Sequence, residues 1–220
     1  MFTVGLTGGI ACGKSLVAAV LASKPGCFVR SADRAARNLM RRRSPVTNAL
    51  VDRFGAGILR PDGAVDRAAL GRIVFHDAGQ RAWVEKLIHP RVLTRMKIQM
   101  TRLRNEGRTR IYVSESALLY EAGLPDLFDR IVVVFCSESE QIRRLMSRDG
   151  IGRREALSRI RAQLPQKEKI GRADYLIDAS GRPEDTLDQS ERLYAQLSAE
   201  ADMREALRTG ISKPPQAAES

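Results

Sequence analysis

The chain has 220 residues, 43% hydrophobic and 29% charged, which suits one substantial core and excludes both a disordered chain and a pair of large independent domains. Its 37 Lys and Arg against 26 Asp and Glu leave a formal charge of +11, so anionic partners are favoured, whether nucleic acid, a membrane surface or a polyphosphate ligand. Aromatics at 5% weaken a base-stacking role, no run reaches the ~18–20 apolar residues of a membrane span, and three cysteines without a C-x-x-C spacing, with only His76 and His89 beside them, argue against structural zinc or a disulfide framework. A cytoplasmic protein is expected, with no membrane partner.

In chain order, Phe2 to Thr7 reads as a short strand, the glycines after it as a loop, and Leu16 to Leu21 as a helix. Further apolar runs at Cys27–Val29, Ile111–Val113, Ile131–Cys136 and Tyr175–Ile177 alternate with helical patterns, which predicts an α/β fold on a mostly parallel sheet. The long gap over residues 34–106 carries helical spacing through Leu70-Ile73-Val74 and Trp83-Leu87-Val92-Met96, and is read as a helical insertion. A second insertion over 141–172 holds ten Lys or Arg against Asp149, Glu155 and Glu168. The core is then 1–33, 107–140 and 173–209, closed by a helix in which Leu187, Leu193, Tyr194 and Leu197 pack back on the sheet, while 210–220 reads as a disordered tail.

Gly8, Gly9, Ile10, Ala11, Cys12, Gly13, Lys14 and Ser15 fit G-x-x-x-x-G-K-[ST] between a predicted strand and a predicted helix that Leu16 continues. Glycines let successive N–H groups converge on phosphate oxygens, with the helix N-terminus adding to the field. Lys14 reaches the β and γ oxygens, and the Ser15 hydroxyl suits Mg²⁺ bridging those phosphates, so ATP and Mg²⁺ are the expected co-substrate and ion. Cys12 lies where the helix end and Lys14 lower a thiol pKa; a redox role competes with a loop position that contributes mainly its N–H. Cys27 and Cys136 read as buried strand residues.

The chain has neither an N-K-x-D guanine-reading tetrapeptide nor a helicase D-E-x-x after a strand. Asp33 closes the second strand and is either a general base facing the γ-phosphate or a helix N-cap. Glu115 follows the third strand and is either a ligand to Mg²⁺ or its waters, or a surface carboxylate. The arginines at 143, 144, 148, 153, 154, 159 and 161 suit a lid that closes over ATP better than a patch on nucleic-acid backbone.

These residues resemble the dephospho-coenzyme A kinase family from Thr3 to about Gly181. The resemblance is carried by Gly5-Leu6-Thr7-Gly8-Gly9-Ile10 with Gly13-Lys14-Ser15, by Ala32-Asp33, by Gly63-Ala64-Val65-Asp66-Arg67-Ala68-Ala69-Leu70-Gly71 and by Leu87-Ile88-His89-Pro90. It continues through Ala117-Leu118-Leu119-Tyr120-Glu121, Gln141 with Arg144-Leu145 and Arg148, Arg159-Ile160 with Gln163, and Ala173-Asp174-Tyr175-Leu176-Ile177-Asp178. It implies a P-loop NTPase-type three-layer fold with a five-stranded parallel sheet, a helical coenzyme A-binding insertion and a lid. The implied reaction is phosphorylation of the ribose 3′-hydroxyl of dephospho-coenzyme A by ATP, the last step of coenzyme A synthesis. Under it Asp33 is the base, Lys14 and Arg148 hold the transferring phosphoryl group, Ser15 and Glu115 serve the metal, and His89, Leu118, Leu119, Tyr120 and Glu121 help form the acceptor pocket. The expected enzyme is a monomer or small homo-oligomer.

The chain departs from the family pattern at Ala11 and Cys12, where Gly-Ser is usual, at Glu115 for Asp, at Ala117 for Pro and at Ala179 for Asn. Ala11 keeps its N–H donor role at no backbone cost only if it avoids a positive φ. Two rival readings differ in kind: another small nucleoside or nucleotide kinase, separated by its acceptor hydroxyl, and a basic nucleic-acid-binding module whose P-loop only controls binding.

Overall fold

A computed structural model describes residues 1–209, apart from the side chain of Phe75. Five strands, β1 (Phe2–Gly8), β2 (Cys27–Ser31), β3 (Ile111–Glu115), β4 (Arg130–Phe135) and β5 (Tyr175–Asp178), form one sheet in the order β2-β3-β1-β4-β5, with every pairing parallel. All seven residues of the central β1 are buried, the signature of a strand covered on both faces. Helix α1 (Lys14–Ala22) and the 27-residue α9 (Pro183–Thr209) cover one face. Thr186, Ser190, Leu193, Leu197 and Ala201 form the buried stripe of α9; Tyr194 packs beside it, whereas Leu187 falls off the stripe and is 38% exposed, contrary to the sequence expectation.

Between β2 and β3 lie α2 (Ala32–Leu39), α3 (Pro45–Phe54), α4 (Arg67–His76) and the 29-residue α5 (Ala78–Glu106). They share a core of their own, built from Ala35, Leu39, Val46, Leu50, Ile58, Val65, Leu70, Ile88 and Val92. Caps set each start: Ser44 accepts from Thr47 N–H before Pro45, Asp66 from Ala68 and Ala69 N–H, and Asp77 from Gln80 N–H. His89 and Pro90 lie inside α5, with His89 half-buried.

After β4 come α6 (Glu138–Asp149), α7 (Arg153–Arg161) and α8 (Gln166–Ile170). Ile142, Leu145 and Ala156 form a small apolar cluster that Ile10 and Ala11 join, so the arginine-rich segment rests on the loop after β1. Cys136 is buried one residue past β4, and Cys27 in β2 is half-buried. The tail expected over 210–220 lies outside the described residues. No helix among the described residues is long and apolar enough to cross a membrane.

Candidate active site

The strands' carboxyl ends meet at the loop between β1 and α1. Gly8 has φ +144°, and a Cβ there would lie 2.0 Å from the Val134 carbonyl oxygen on β4; at Gly9 it would lie 2.4 Å from Gln141 Nε2. The backbone therefore turns in space that only glycine leaves open. Gly13 caps α1 in the left-handed region without a side-chain hydrogen bond, and the N–H groups of Ala11, Gly13, Lys14 and Ser15 have no partner among the described residues. Unsatisfied donors at a helix N-terminus converge here on a space suited to an anion. Ala11 adopts φ +62°, so the strain-free condition set for it is not met, and the site carries a backbone strain of about 1–2 kcal/mol.

Lys14 is buried and donates from Nζ to the carbonyls of Gly8 at 3.2 Å and Gly9 at 2.8 Å. Burial pushes its ammonium down from the ordinary value, opposed by Asp33, Cys12 and Glu115. Ser15 Oγ donates to Glu115 Oε1 at 2.9 Å, so these two expected metal residues are in contact. Glu115 is the last residue of β3, in register with Leu6 and Ser31, and does not follow the strand as expected.

Of the two readings for Asp33, the structure excludes the cap. Strand β2 runs directly into α2, and Ser31 is the N-cap, its Oγ accepting from Arg34 N–H. Asp33 sits in the first turn, half-buried and without an ion pair among the described residues. Burial pushes its carboxyl up; Lys14 opposes this, Glu115 reinforces it, and Arg37 and Arg67 oppose it. Arg67, whose own guanidinium is pushed down by burial, in turn feels Arg37, Asp33, Arg148 and Asp149, so this arginine at the start of α4 lies between the carboxylate of α2 and the end of α6.

Arg148 is exposed and forks onto Asp149 at 2.8 and 3.1 Å, while Arg159 reaches the same carboxylate at 2.7 Å. Three arginines hold the Asp149 carboxyl below its usual value, Arg148 most strongly, then Arg159 and Arg67. The loop's Ile10 is gripped on both sides, its N–H donating to Gln163 Oε1 and its carbonyl accepting from Gln141 Nε2, each at 2.8 Å. Its N–H therefore does not join the open donors of the cradle.

The residues expected to form the acceptor pocket divide. Leu119 is 1% exposed in the core under β4, and Glu121 accepts from Leu164 N–H and pairs with Lys169 at 2.8 Å. Core packing holds the Leu119 side chain, while Glu121 keeps one oxygen, Oε2, without a hydrogen-bond partner among the described residues. The Tyr120 hydroxyl donates to Arg172 O at 2.8 Å; Leu118 is half-buried. An open cleft of about 730 Å³ lies instead between α5 and α7, lined by Arg81, Arg153, Arg154, Leu157, Ser158, Arg161 and Ala162. A second cleft of about 240 Å³ adjoins the loop at Gly13 and Leu16, opposite Arg144, Ala179 and Gly181; Arg144 is fixed by Glu140 at 2.7 Å and Ala179 O at 2.8 Å. Sequence reasoning gave no role to Arg67 or Gln163, although each stands in a stretch that carried the resemblance, and it placed Arg144 only among the arginines of the basic segment.

A model of the dephospho-CoA kinase family matches residues 2–185. The chain is 44% identical over 197 residues to a dephospho-CoA kinase of Anaeromyxobacter dehalogenans, covering 90% of this chain and 92% of that one. It is 40% identical over 195 residues to that of Geobacter sulfurreducens, with 89% and 98% covered. A solved dephospho-CoA kinase from Campylobacter jejuni superposes with a TM-score of 0.64 at 25% identity, covering 90% of this chain and 97% of its own. Shikimate kinase from Aquifex aeolicus shares the fold alone, with a TM-score of 0.50 at 13% identity over 91% of this chain and 98% of its own. A P-loop at the end of the central strand of an all-parallel five-stranded sheet, with this likeness running along nearly its whole length, makes the chain a member of the dephospho-CoA kinase family.

Proposed function

We propose that the chain transfers the γ-phosphoryl group of ATP to the ribose 3′-hydroxyl of dephospho-coenzyme A, with Asp33 as the general base. One observation carries the assignment of roles: a carboxylate that neither caps a helix nor forms an ion pair among the described residues lies within the fields of Lys14 and Glu115 at the mouth of the phosphate cradle. Its raised affinity for a proton suits it to accept one from the attacking hydroxyl, a contribution of about 10²–10⁴ in rate.

The open N–H groups of Gly13, Lys14 and Ser15 take up β-phosphate oxygens, and Lys14 leaves the loop carbonyls for the β and γ oxygens. The cleft beside Leu16, Arg144 and Ala179 is sized for a purine ring. Ser15 Oγ and Glu115 Oε1 are adjacent hard oxygen donors, a set that fits Mg²⁺ completed by water and phosphate oxygens. Such an ion, when bound, neutralises charge on the β- and γ-phosphates. Arg148 exchanges Asp149 for the transferring phosphoryl group as the lid closes. The arginine-lined cleft between α5 and α7 matches the diphosphate and amphipathic arm of the acceptor, and His89 stands on the same long helix. These ligands are cytoplasmic metabolites, which supports that location.

The test is an ADP-release assay with Mg²⁺-ATP and dephospho-coenzyme A, with adenosine and AMP as competing acceptors and the product identified by mass. Coenzyme A formed only from the first acceptor is the expected result; transfer to adenosine or AMP alone overturns the assignment.

A further inference from the structure

Cys12, inside the phosphate loop, and Cys136, just past β4, are both free thiols and almost fully buried. Their sulfurs lie 3.5 Å apart, with Cys136 Sγ–H directed at Cys12 Sγ, although 124 positions separate them in the chain. Adjacent strands create this meeting, because β1 and β4 pair in parallel up to Gly8 and Val134 and deliver the two residues to one spot. Gln166 at the start of α8 bridges both: its Oε1 accepts from Cys12 Sγ at 3.0 Å, and its Nε2 donates to Cys136 O at 2.7 Å. The reaction derived above uses neither thiol.

We propose that Cys12 and Cys136 form a reversible dithiol–disulfide site that disables the phosphate cradle when oxidised by a peroxide. The Cys12 thiolate attacks one peroxide oxygen and breaks the O–O bond; with a proton taken up, this gives Cys12 sulfenic acid and one water or alcohol. The Cys136 sulfur then attacks the Cys12 sulfur, the S–O bond breaks, and a second water leaves with the Cys136 proton. Two thiols have together given two electrons to the peroxide. A cellular dithiol reverses the bond by exchange through a mixed disulfide. Hydrogen bonding from Cys136, with Lys14 nearby, draws the Cys12 thiol down to about 7 and so provides the attacking thiolate.

The bond requires an S–S distance of about 2.05 Å, so the sulfurs must close by roughly 1.5 Å from their present 3.5 Å. Cys12 is joined directly to Gly13, whose N–H is one of the open donors, and its contact with Gln166 is lost as it moves. Oxidation therefore pulls the donor array out of shape, while a bound triphosphate, which needs that array, opposes closure.

The full chain is treated with hydrogen peroxide, with and without ATP, and read by thiol titration, non-reducing peptide mapping and titration with a fluorescent ATP analogue. The expected result is a fall from three free thiols to one, a Cys12–Cys136 cross-linked peptide, at least tenfold weaker nucleotide binding, protection by ATP and recovery with dithiothreitol. Cys136→Ala, with Cys136→Ser as a second variant, should bind the analogue normally when reduced. Under peroxide it should stop at a Cys12 sulfenic acid that dimedone captures, while the parent chain gives no dimedone adduct. A parent chain that accumulates sulfenic or sulfinic acid without the cross-link overturns the proposal. So does a cross-link to Cys27, or a cross-linked protein that binds the nucleotide as before.

Discussion

Glu121→Leu isolates what the buried ion pair below the site contributes. Lys169 is fully buried, and its ammonium has two partners, Glu121 Oε1 and Ala117 O, each at 2.8 Å. Removing the carboxylate leaves a cation in the interior with one neutral acceptor, a change that costs about 3–5 kcal/mol. For a domain of this size that is a fall in Tm of roughly 6–20 °C. Adding Lys169→Met removes the stranded charge. What then remains is the Leu164 N–H that had donated to Glu121 and the Ala117 carbonyl that had accepted from Lys169, about 1 kcal/mol each, so the double variant should return to within about 2 kcal/mol of the parent. Urea and thermal unfolding of the two variants and the parent supply the measurement, with kinase activity of the refolded double variant alongside. A single substitution costing under about 1 kcal/mol, or a double variant no more stable than the single, refutes the argument. A stable but inactive double variant would assign Glu121 a role in ligand binding beyond its ion pair.

Asp33→Asn should lower kcat by about 10²–10⁴ while leaving ATP affinity within a few-fold, as turnover and nucleotide titration will show. Because burial raises the Asp33 carboxyl above its unfolded value, activity should fall as pH drops through a point above the ordinary carboxylate range, and the variant's pH profile should lack that limb. The same shift means that the folded state prefers the protonated form, so ionised Asp33 costs stability above its folded pKa and none below its unfolded one; the amide should therefore raise Tm at neutral pH. Ala11→Gly relieves the positive φ and should stabilise the protein by about 1 kcal/mol, a gain of roughly 2–4 °C in thermal unfolding. Arg154→Ala with Arg161→Ala removes two guanidinium groups from the α5–α7 cleft and should raise KM for the acceptor by roughly tenfold or more with kcat retained, since each charge-assisted contact is worth about 1.5–3 kcal/mol.

Features written in local pattern were legible in the sequence. The five strands, the loop with its lysine and serine, and the helical stretch between the second and third strands follow from periodicity and glycine placement. Local rules failed where two cues competed within a few residues. Ser31 and Asp33 both suit an N-cap, and only the uninterrupted passage from β2 into α2 decides for Ser31. Leu187 fits helical spacing with Leu193 and Leu197 loosely, but the buried stripe runs through Thr186 and Ser190, polar residues that hydropathy does not flag. Contacts between distant segments left no trace: the pairing of Glu121 with Lys169 joins residues far apart in the chain, and the meeting of Cys12 and Cys136 depends on strand order.

The two glutamines on Ile10 couple the phosphate loop to the arginine-rich segment over 141–172. Gln163 holds the Ile10 N–H and Gln141 its carbonyl, each at 2.8 Å, so neither the loop nor that segment can shift without giving up two amide hydrogen bonds. A substitution at either glutamine therefore reaches the phosphate cradle through the backbone of a residue that leaves its own N–H out of it.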